Sequence, residues 1–175
     1  DKYQGMPLYG YTKMCEKMAA SKNIKIMLNT DYKEVIKDIS YDTMIYTGPV
    51  DYFYDYKYGK LAYRSINFVF ETHDVETYQE APVVNYPNDY DFTRITEYKH
   101  LTGQNIPYPT IAKEYSMAHG EPFYIVPDKE NQDKAEQYRQ YAQKEKNVTF
   151  IGRLAEYKYY NMDQIVDRAL ELPLD

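Results

Sequence analysis

The chain of 175 residues is long enough for one domain with its own core, and its 43% hydrophobic content is typical of a globular protein. Its formal net charge of −6 provides no basic stripe that could displace counterions, which excludes a nucleic-acid partner. No apolar run reaches the length of a membrane span, and the single cysteine, Cys15, favours a reducing compartment such as the cytoplasm.

The first half of the chain predicts a helix followed by short strands. Pro7 suits the first turn of a helix, and Leu8, Tyr11, Cys15 and Met18 then recur at spacings of three and four on one helix face. The elements predicted after this helix are a strand over 23–30, a second extended segment over 31–38, a strand over 43–46 that ends at a Gly-Pro turn, a short helix or packed loop over 51–58, and a strand over 63–70.

The second half predicts an antiparallel sheet and a surface helix. Residues 92–100 and 110–116 are predicted as antiparallel neighbours across a loop that contains glycine and proline. Shorter strands are predicted over 82–86 and 123–126, and a polar helix over 128–146. Several antiparallel strands with helices at both ends predict an α+β fold built on a largely antiparallel twisted sheet.

A strand, a loop and the start of a helix follow one another near the end of the chain. Val148–Ile151 reads as a short buried strand, and Asn161 is predicted as a helix N-cap with Gln164 as its reciprocal partner. The N-terminus of a helix suits an anion such as phosphate, and Arg153 with three nearby tyrosines adds donors. This spacing predicts an anion site. The alternative is a tyrosine-rich connection packed on a sheet, with Arg153 in a surface ion pair.

Six stretches occur in a fixed order along the chain: YQGMPLYGYTKM (3–14), IYTGPVD (45–51), GKLAYRS (59–65), VNYP (84–87), TRITEYKH (93–100) and GRLAEYKYYNMDQ (152–164). In this order they resemble bacterial UDP-galactopyranose mutases. The chain lacks a G-x-G-x-x-G motif, so the resemblance implies the C-terminal part of a larger FAD-binding α/β enzyme. It implies a substrate-side antiparallel sheet over 60–127, and elements over 1–50 and 128–175 that complete the FAD-binding domain.

The resemblance also implies an activity and its partners. Members of the family interconvert UDP-galactopyranose and UDP-galactofuranose, and N5 of reduced FAD attacks the anomeric carbon as UDP leaves. The cofactor supplies the difficult chemistry, and the protein supplies binding, orientation and electrostatics. The expected partners are UDP-galactose, the N-terminal part of the same enzyme and a second copy of the chain in a homodimer. The FAD site is expected to be incomplete in these residues, which alone are expected to be inactive.

The resemblance assigns roles to individual side chains. Arg94, Arg153 and Arg64 match catalytic arginines, and Tyr124, Tyr159, Asn161 and again Arg94 match residues that bind the substrate. Asn161 stands where many members have an aspartate that contacts the galactose. The residues matched to cofactor contacts are Gly152, Arg153, Asn161, Met162, Asp163, Thr47, Gly48 and Pro49.

Other interpretations remain open at the level of the residues. Without the resemblance, the arginines read as ion-pair residues of a solvated sheet, with Arg94 paired to Glu97 or Asp91. The chain also fits an amine-oxidase-like flavoprotein, or a non-catalytic module that binds sugar nucleotides or partners through its 23 tyrosines. The histidines at 73, 100 and 119 are far apart and predict no metal site.

Overall fold

The computed structural model describes residues 2–3 and 5–173. The described chain divides into two compact units. The first unit comprises the residues up to Ile39 together with Asn67–Tyr115. The second unit comprises Ser40–Ile66 and the residues from Ser116 onward.

Short helices and strands alternate along the chain. The helices are α1 (Gly10–Met18), α2 (Tyr32–Val35), α3 (Val50–Phe53), α4 (Tyr98–Thr102), α5 (Lys129–Ala142) and α6 (Met162–Leu170). The strands are β1 (Met44–Tyr46), β2 (Tyr63–Thr72), β3 (Val83–Asn85), β4 (Arg94–Glu97), β5 (Thr110–Met117), β6 (Tyr124–Ile125) and β7 (Val148–Phe150).

Five strands form one sheet in the order β3-β4-β5-β2-β6, and β1 and β7 form a separate parallel pair. The pairs β3–β4, β4–β5 and β2–β6 are antiparallel. This arrangement confirms the predicted α+β class and the predicted antiparallel neighbours around residues 92–100 and 110–116. In the first unit, the sheet buries Ile95, Ile111 and Ala112.

The core of the second unit is rich in tyrosine. Val50, Leu61, Ala135, Tyr138 and Tyr157 form its buried cluster, with further aromatic rings packed around them. The hydroxyl of Tyr138 donates to the carbonyl oxygen of residue 59 at 2.9 Å and accepts the amide of residue 58 at 3.0 Å. A tyrosine therefore fills the core and also satisfies backbone groups that no strand or helix satisfies.

The strand predicted over 23–30 is absent. Its apolar side chains are exposed, and the amide of Ile24 donates to the carbonyl oxygen of Ser21 in a turn at 2.9 Å. Alternation makes a strand only where a neighbouring strand offers hydrogen bonds. The extended segment predicted over 31–38 is also wrong, because Asp31 caps α2 by accepting the amide of Lys33.

Two further predicted boundaries need correction. Helix α1 begins at Gly10, later than predicted, and none of its residues is buried. Strand β4 stops at Glu97, and α4 occupies the positions predicted to continue the strand. Glu97 is fully buried where the backbone changes direction from strand to helix. Its carboxylate accepts hydrogen bonds from the amides of Tyr78 and Gln79.

Asp51 is a buried carboxylic acid in the second unit. It is 2% exposed, and one of its oxygens accepts the amide of Leu61 at 2.9 Å. Burial raises the pKa of Asp51 more than backbone donors such as Leu61 and the nearby Lys60 lower it. The folded protein therefore binds this proton more tightly than the unfolded chain does.

We expect Asp51→Asn to stabilise the protein more at pH 7 than at pH 4. The raised pKa adds stability at low pH, and this contribution is lost as pH rises through the pKa of the folded state. Asparagine keeps an acceptor for Leu61 and carries no charge. Urea unfolding followed by circular dichroism at both pH values tests this, with the exposed Asp133→Asn as the control. An equal effect of Asp51→Asn at both pH values contradicts it.

Candidate functional site

The loop after β7 starts with a sharp turn. Gly152 has a φ of +105°, a conformation that favours glycine. Its amide donates to the carboxylate of Glu156 at 2.9 Å, and the amide of Glu156 donates back to its carbonyl oxygen at 2.9 Å. Arg153 is the residue that follows this turn.

Tyr157 anchors this loop to the rest of the second unit. It is 1% exposed, and its hydroxyl lies 2.6 Å from the carbonyl oxygen of Ala62, to which it donates. The hydroxyl oxygen of Tyr157 also accepts a hydrogen bond from the amide of Val126 at 3.2 Å. Ala62 directly precedes β2 and Val126 directly follows β6, so one phenol joins three segments of chain. Its own φ of +48° is unusual for a residue other than glycine.

Arg153, Tyr124 and Tyr159 come together beside the loop. The guanidinium carbon of Arg153 lies 4.7 Å from the ring centre of Tyr159 and 5.9 Å from that of Tyr124. The two rings are nearly parallel, with centres 6.4 Å apart. Arg153 also donates from Nε to the carbonyl oxygen of Tyr160 at 2.6 Å, which holds the guanidinium in place.

Arg64 joins the same surface through strand register. It pairs directly with Tyr124 across β2 and β6. Directly opposite residues in an antiparallel pair have their side chains on the same face. Three sequence-predicted residues of the second unit, Arg64, Tyr124 and Arg153, are therefore grouped by one pair of strands and one loop.

Asn161 caps α6 as predicted. Its amide donates to Oε1 of Gln164 at 2.8 Å, in a reciprocal capping box. Met162 and Asp163 form the first turn of the helix, where Asp163 is the acidic residue. The first amides of α6 and the positive end of its dipole follow directly on the loop that carries Arg153.

The turn after β1 is tightly packed. The hydroxyl of Tyr46 donates to the carbonyl oxygen of Pro49 at 3.1 Å. A Cβ at Gly48 would lie 2.6 Å from that hydroxyl oxygen, so a larger residue would displace the tyrosine. Thr47, Gly48 and Pro49 thus form a compact bend over Tyr46, in which a side chain at residue 48 would force the Tyr46 ring to move.

Arg94 belongs to the first unit. Its Nε donates to Asn85 at 3.0 Å, and its Nη1 lies 3.5 Å from Oε2 of Glu114. These partners are opposite Arg94 on β3 and β5. The alternative interpretation paired Arg94 with Glu97 or Asp91. Arg94 pairs with Glu114 instead, and Glu97 is buried, where it accepts the amides of residues 78 and 79. The His100 ring lies 3.3 Å from Glu97.

Sequence reasoning missed the residues that hold the loop together. Glu156 accepts the hydroxyl of Tyr160 at 3.0 Å and lies 3.3 Å from Nη2 of Arg168. Burial first, and then the Glu156 carboxylate, raises the pKa of Tyr160, so this phenol remains a donor at neutral pH. The spacing of four residues between Glu156 and Tyr160 is a helical signal, but it does not identify Arg168 as the third member.

Among the described residues, no group of three His, Cys, Asp or Glu side chains is arranged to hold a metal ion. Within the same part of the chain, every helix is too short or too polar to cross a bilayer. A cleft of about 820 Å³ in the second unit is lined by residues of α5, β7 and the loop from Glu156 to Tyr160.

We expect Tyr157→Phe to destabilise the protein by about 1.5 kcal/mol, because it removes a buried phenol hydroxyl that bonds both the carbonyl oxygen of Ala62 and the amide of Val126. Urea unfolding monitored by circular dichroism measures the loss. Tyr159→Phe is the matched control, since Tyr159 is 54% exposed, and its effect should stay below about 0.5 kcal/mol. Equal stability of the Tyr157 and Tyr159 variants contradicts the anchoring role.

The sequence profile of the UDP-galactopyranose mutase family matches residues 1–159. A probable UDP-galactopyranose mutase from Klebsiella pneumoniae is 39% identical over 97% of this chain and 45% of its own length. A dTDP-fucopyranose mutase from Escherichia coli is 33% identical over 97% of this chain and 48% of its own length. The UDP-galactopyranose mutase of Mycoplasma genitalium is 32% identical over 93% of this chain and 45% of its own length. The chain spans about half the length of these relatives, and it belongs to the UDP-galactopyranose mutase family.

Proposed function

We propose that this chain is the C-terminal part of a flavin-dependent mutase that interconverts UDP-galactopyranose and UDP-galactofuranose. The observation that carries the proposal is the grouping of Arg153, Tyr124 and Tyr159 beside the N-terminus of α6. The family relationship supports the reaction type. The geometry supports a diphosphate as the group that these residues bind.

The diphosphate site follows from the chemistry of its donors. Arg153 and Arg64 present planar guanidinium groups that suit two phosphate oxygens at once. Tyr124 and Tyr159 add phenol hydroxyls and flat apolar faces. The cluster can therefore hold UDP both before the sugar leaves and while it is detached, so that UDP is retained for the return step.

The residues proposed to contact the flavin suit an anionic cofactor with a flat ring. Gly152 leaves open space where a side chain would stand, with no atom within 4 Å of a Cβ built there. The capped N-terminus of α6 suits a negatively charged group, and the bend from Thr47 to Pro49 presents compact backbone. Reduced flavin, when bound, supplies the nucleophile for the anomeric carbon. Arg153 would orient the sugar nucleotide toward it.

The second candidate substrate is dTDP-fucopyranose. It is favoured by the 33% identity to the Escherichia coli dTDP-fucopyranose mutase. Both reactions need a nucleoside diphosphate held by cations, so the described cluster supports either one. Assays of the complete protein with UDP-galactofuranose and with dTDP-fucofuranose, followed by chromatography of the pyranose products, distinguish the two substrates.

We expect the 175-residue chain to bind UDP through Arg153, but to bind FAD weakly and show no turnover. A charged hydrogen bond contributes about 1.5–3 kcal/mol, so Arg153→Ala should weaken UDP binding about tenfold or more. Calorimetric titration of UDP and FAD into wild type, Arg153→Ala and the exposed control Lys129→Ala tests this. UDP binding that is unchanged in Arg153→Ala contradicts the expected role of Arg153. Stoichiometric FAD in the purified chain contradicts the expected weak binding of FAD.

We expect Arg94→Ala, in the complete enzyme, to lower kcat about tenfold or more while weakening UDP binding less. An interaction that is stronger in the transition state appears in kcat. Arg94→Lys should restore only part of the rate, because a point charge cannot replace a planar fork. Steady-state kinetics, the Kd for UDP and the melting temperature are measured for each variant.

The matched control for Arg94 is Glu114→Gln. It removes the ion pair of Arg94 and keeps the guanidinium. A catalytic Arg94 predicts near-normal kcat in Glu114→Gln. If Glu114→Gln lowers kcat and stability as much as Arg94→Ala does, Arg94 is a structural ion-pair residue.

A further inference from the structure

Glu156 binds both ends of the loop that carries Arg153. Its carboxylate accepts the amide of Gly152 at 2.9 Å and the hydroxyl of Tyr160 at 3.0 Å. It also pairs with Arg168 of α6 at 3.3 Å. The Glu156 side chain is 20% exposed, so these contacts are partly shielded from water. One carboxylate thus joins the start of the loop, its end and the helix that follows.

The contacts of Glu156 lead directly to Arg153. Gly152 directly precedes Arg153, so the hydrogen bond from the Gly152 amide to the Glu156 carboxylate fixes the backbone from which the Arg153 side chain projects. The hydroxyl of Tyr160 donates to the Glu156 carboxylate. The carbonyl oxygen of Tyr160 accepts a hydrogen bond from Nε of Arg153 at 2.6 Å. Moving Tyr160 would therefore move the hydrogen bond that holds the guanidinium over Tyr159.

We propose that Glu156 is a positioning residue of the diphosphate site. It orders the loop so that the guanidinium of Arg153 stays between Tyr160 and the ring of Tyr159. In this proposal Glu156 acts through Arg153 and not through a contact with the diphosphate, and Arg168 pairs with its carboxylate. The effect of Glu156 on nucleotide binding rests on the proposed function, whereas its effect on Arg153 does not.

The first test follows Arg153 without any ligand. In wild type, the Nε–H signal of Arg153 in a nitrogen–proton NMR spectrum should be protected from exchange and shifted by the Tyr159 ring. Arg153→Lys assigns the signal by removing it. Glu156→Gln should broaden or remove it. Glu130→Gln should leave it unchanged, because Glu130 is exposed and pairs with Lys134 on α5. An unchanged Arg153 signal in Glu156→Gln overturns the proposal.

The second test is a double-mutant cycle with UDP as the probe. Glu156→Gln should raise the Kd for UDP about tenfold, within the range shown by coupled neighbours. In the Arg153→Ala background, the same substitution should have no further effect, because Glu156 acts through Arg153. Equal effects in both backgrounds, or none in wild type, overturn the positioning role.

The two tests separate this inference from the proposed function. If wild type does not bind UDP, the proposed function fails, and the Arg153 signal alone decides the role of Glu156. Melting temperatures of all variants accompany both tests. A Glu156→Gln variant that keeps the Arg153 signal but melts earlier shows a purely structural role and overturns the proposal.

Discussion

The hydroxyl of Tyr157 is the contact on which the candidate site depends. It holds the loop after β7 to the chain on either side of the β2–β6 pair, at 2.6 Å from the carbonyl oxygen of Ala62 and 3.2 Å from the amide of Val126. A left-handed backbone at a tyrosine persists only when its surroundings require it. Arg153 and Tyr159 lie on either side of this anchor, so their approach to Tyr124 follows from it.

Two glutamates organise irregular backbone, one in each unit. In the first unit, burial alone would raise the pKa of Glu97, but the amides of Tyr78 and Gln79 and the charges of His100 and Lys99 outweigh burial and lower it. Its charge therefore persists inside the protein and fixes the end of β4. In the second unit, Glu156 closes the loop around Arg153. Both carboxylates act by accepting backbone amides.

Two predictions from local sequence patterns were wrong because each needed a partner from elsewhere in the chain. The alternation over 23–30 is a strand signal, but no strand forms there, because a strand needs a neighbour to bond its amides. Arg94 was given Glu97 or Asp91 as nearby partners, whereas sheet register places it beside Glu114. Residues an odd number of positions apart on a strand, such as Arg94 and Glu97, point to opposite faces, whereas residues directly opposite on the next strand have their side chains on the same face.

The sequence by itself determined several features: the cap of Asn161 on α6, the helix α5 with its buried face, the antiparallel β4–β5 pair and the family of the chain. These depend on residues a few positions apart, or on motifs in a fixed order. Only the tertiary structure decided that Glu156, Tyr160 and Arg168 form one network, and that Tyr157 bonds Ala62 from 95 residues away. Such contacts depend on how the chain returns to itself, which local spacing does not encode.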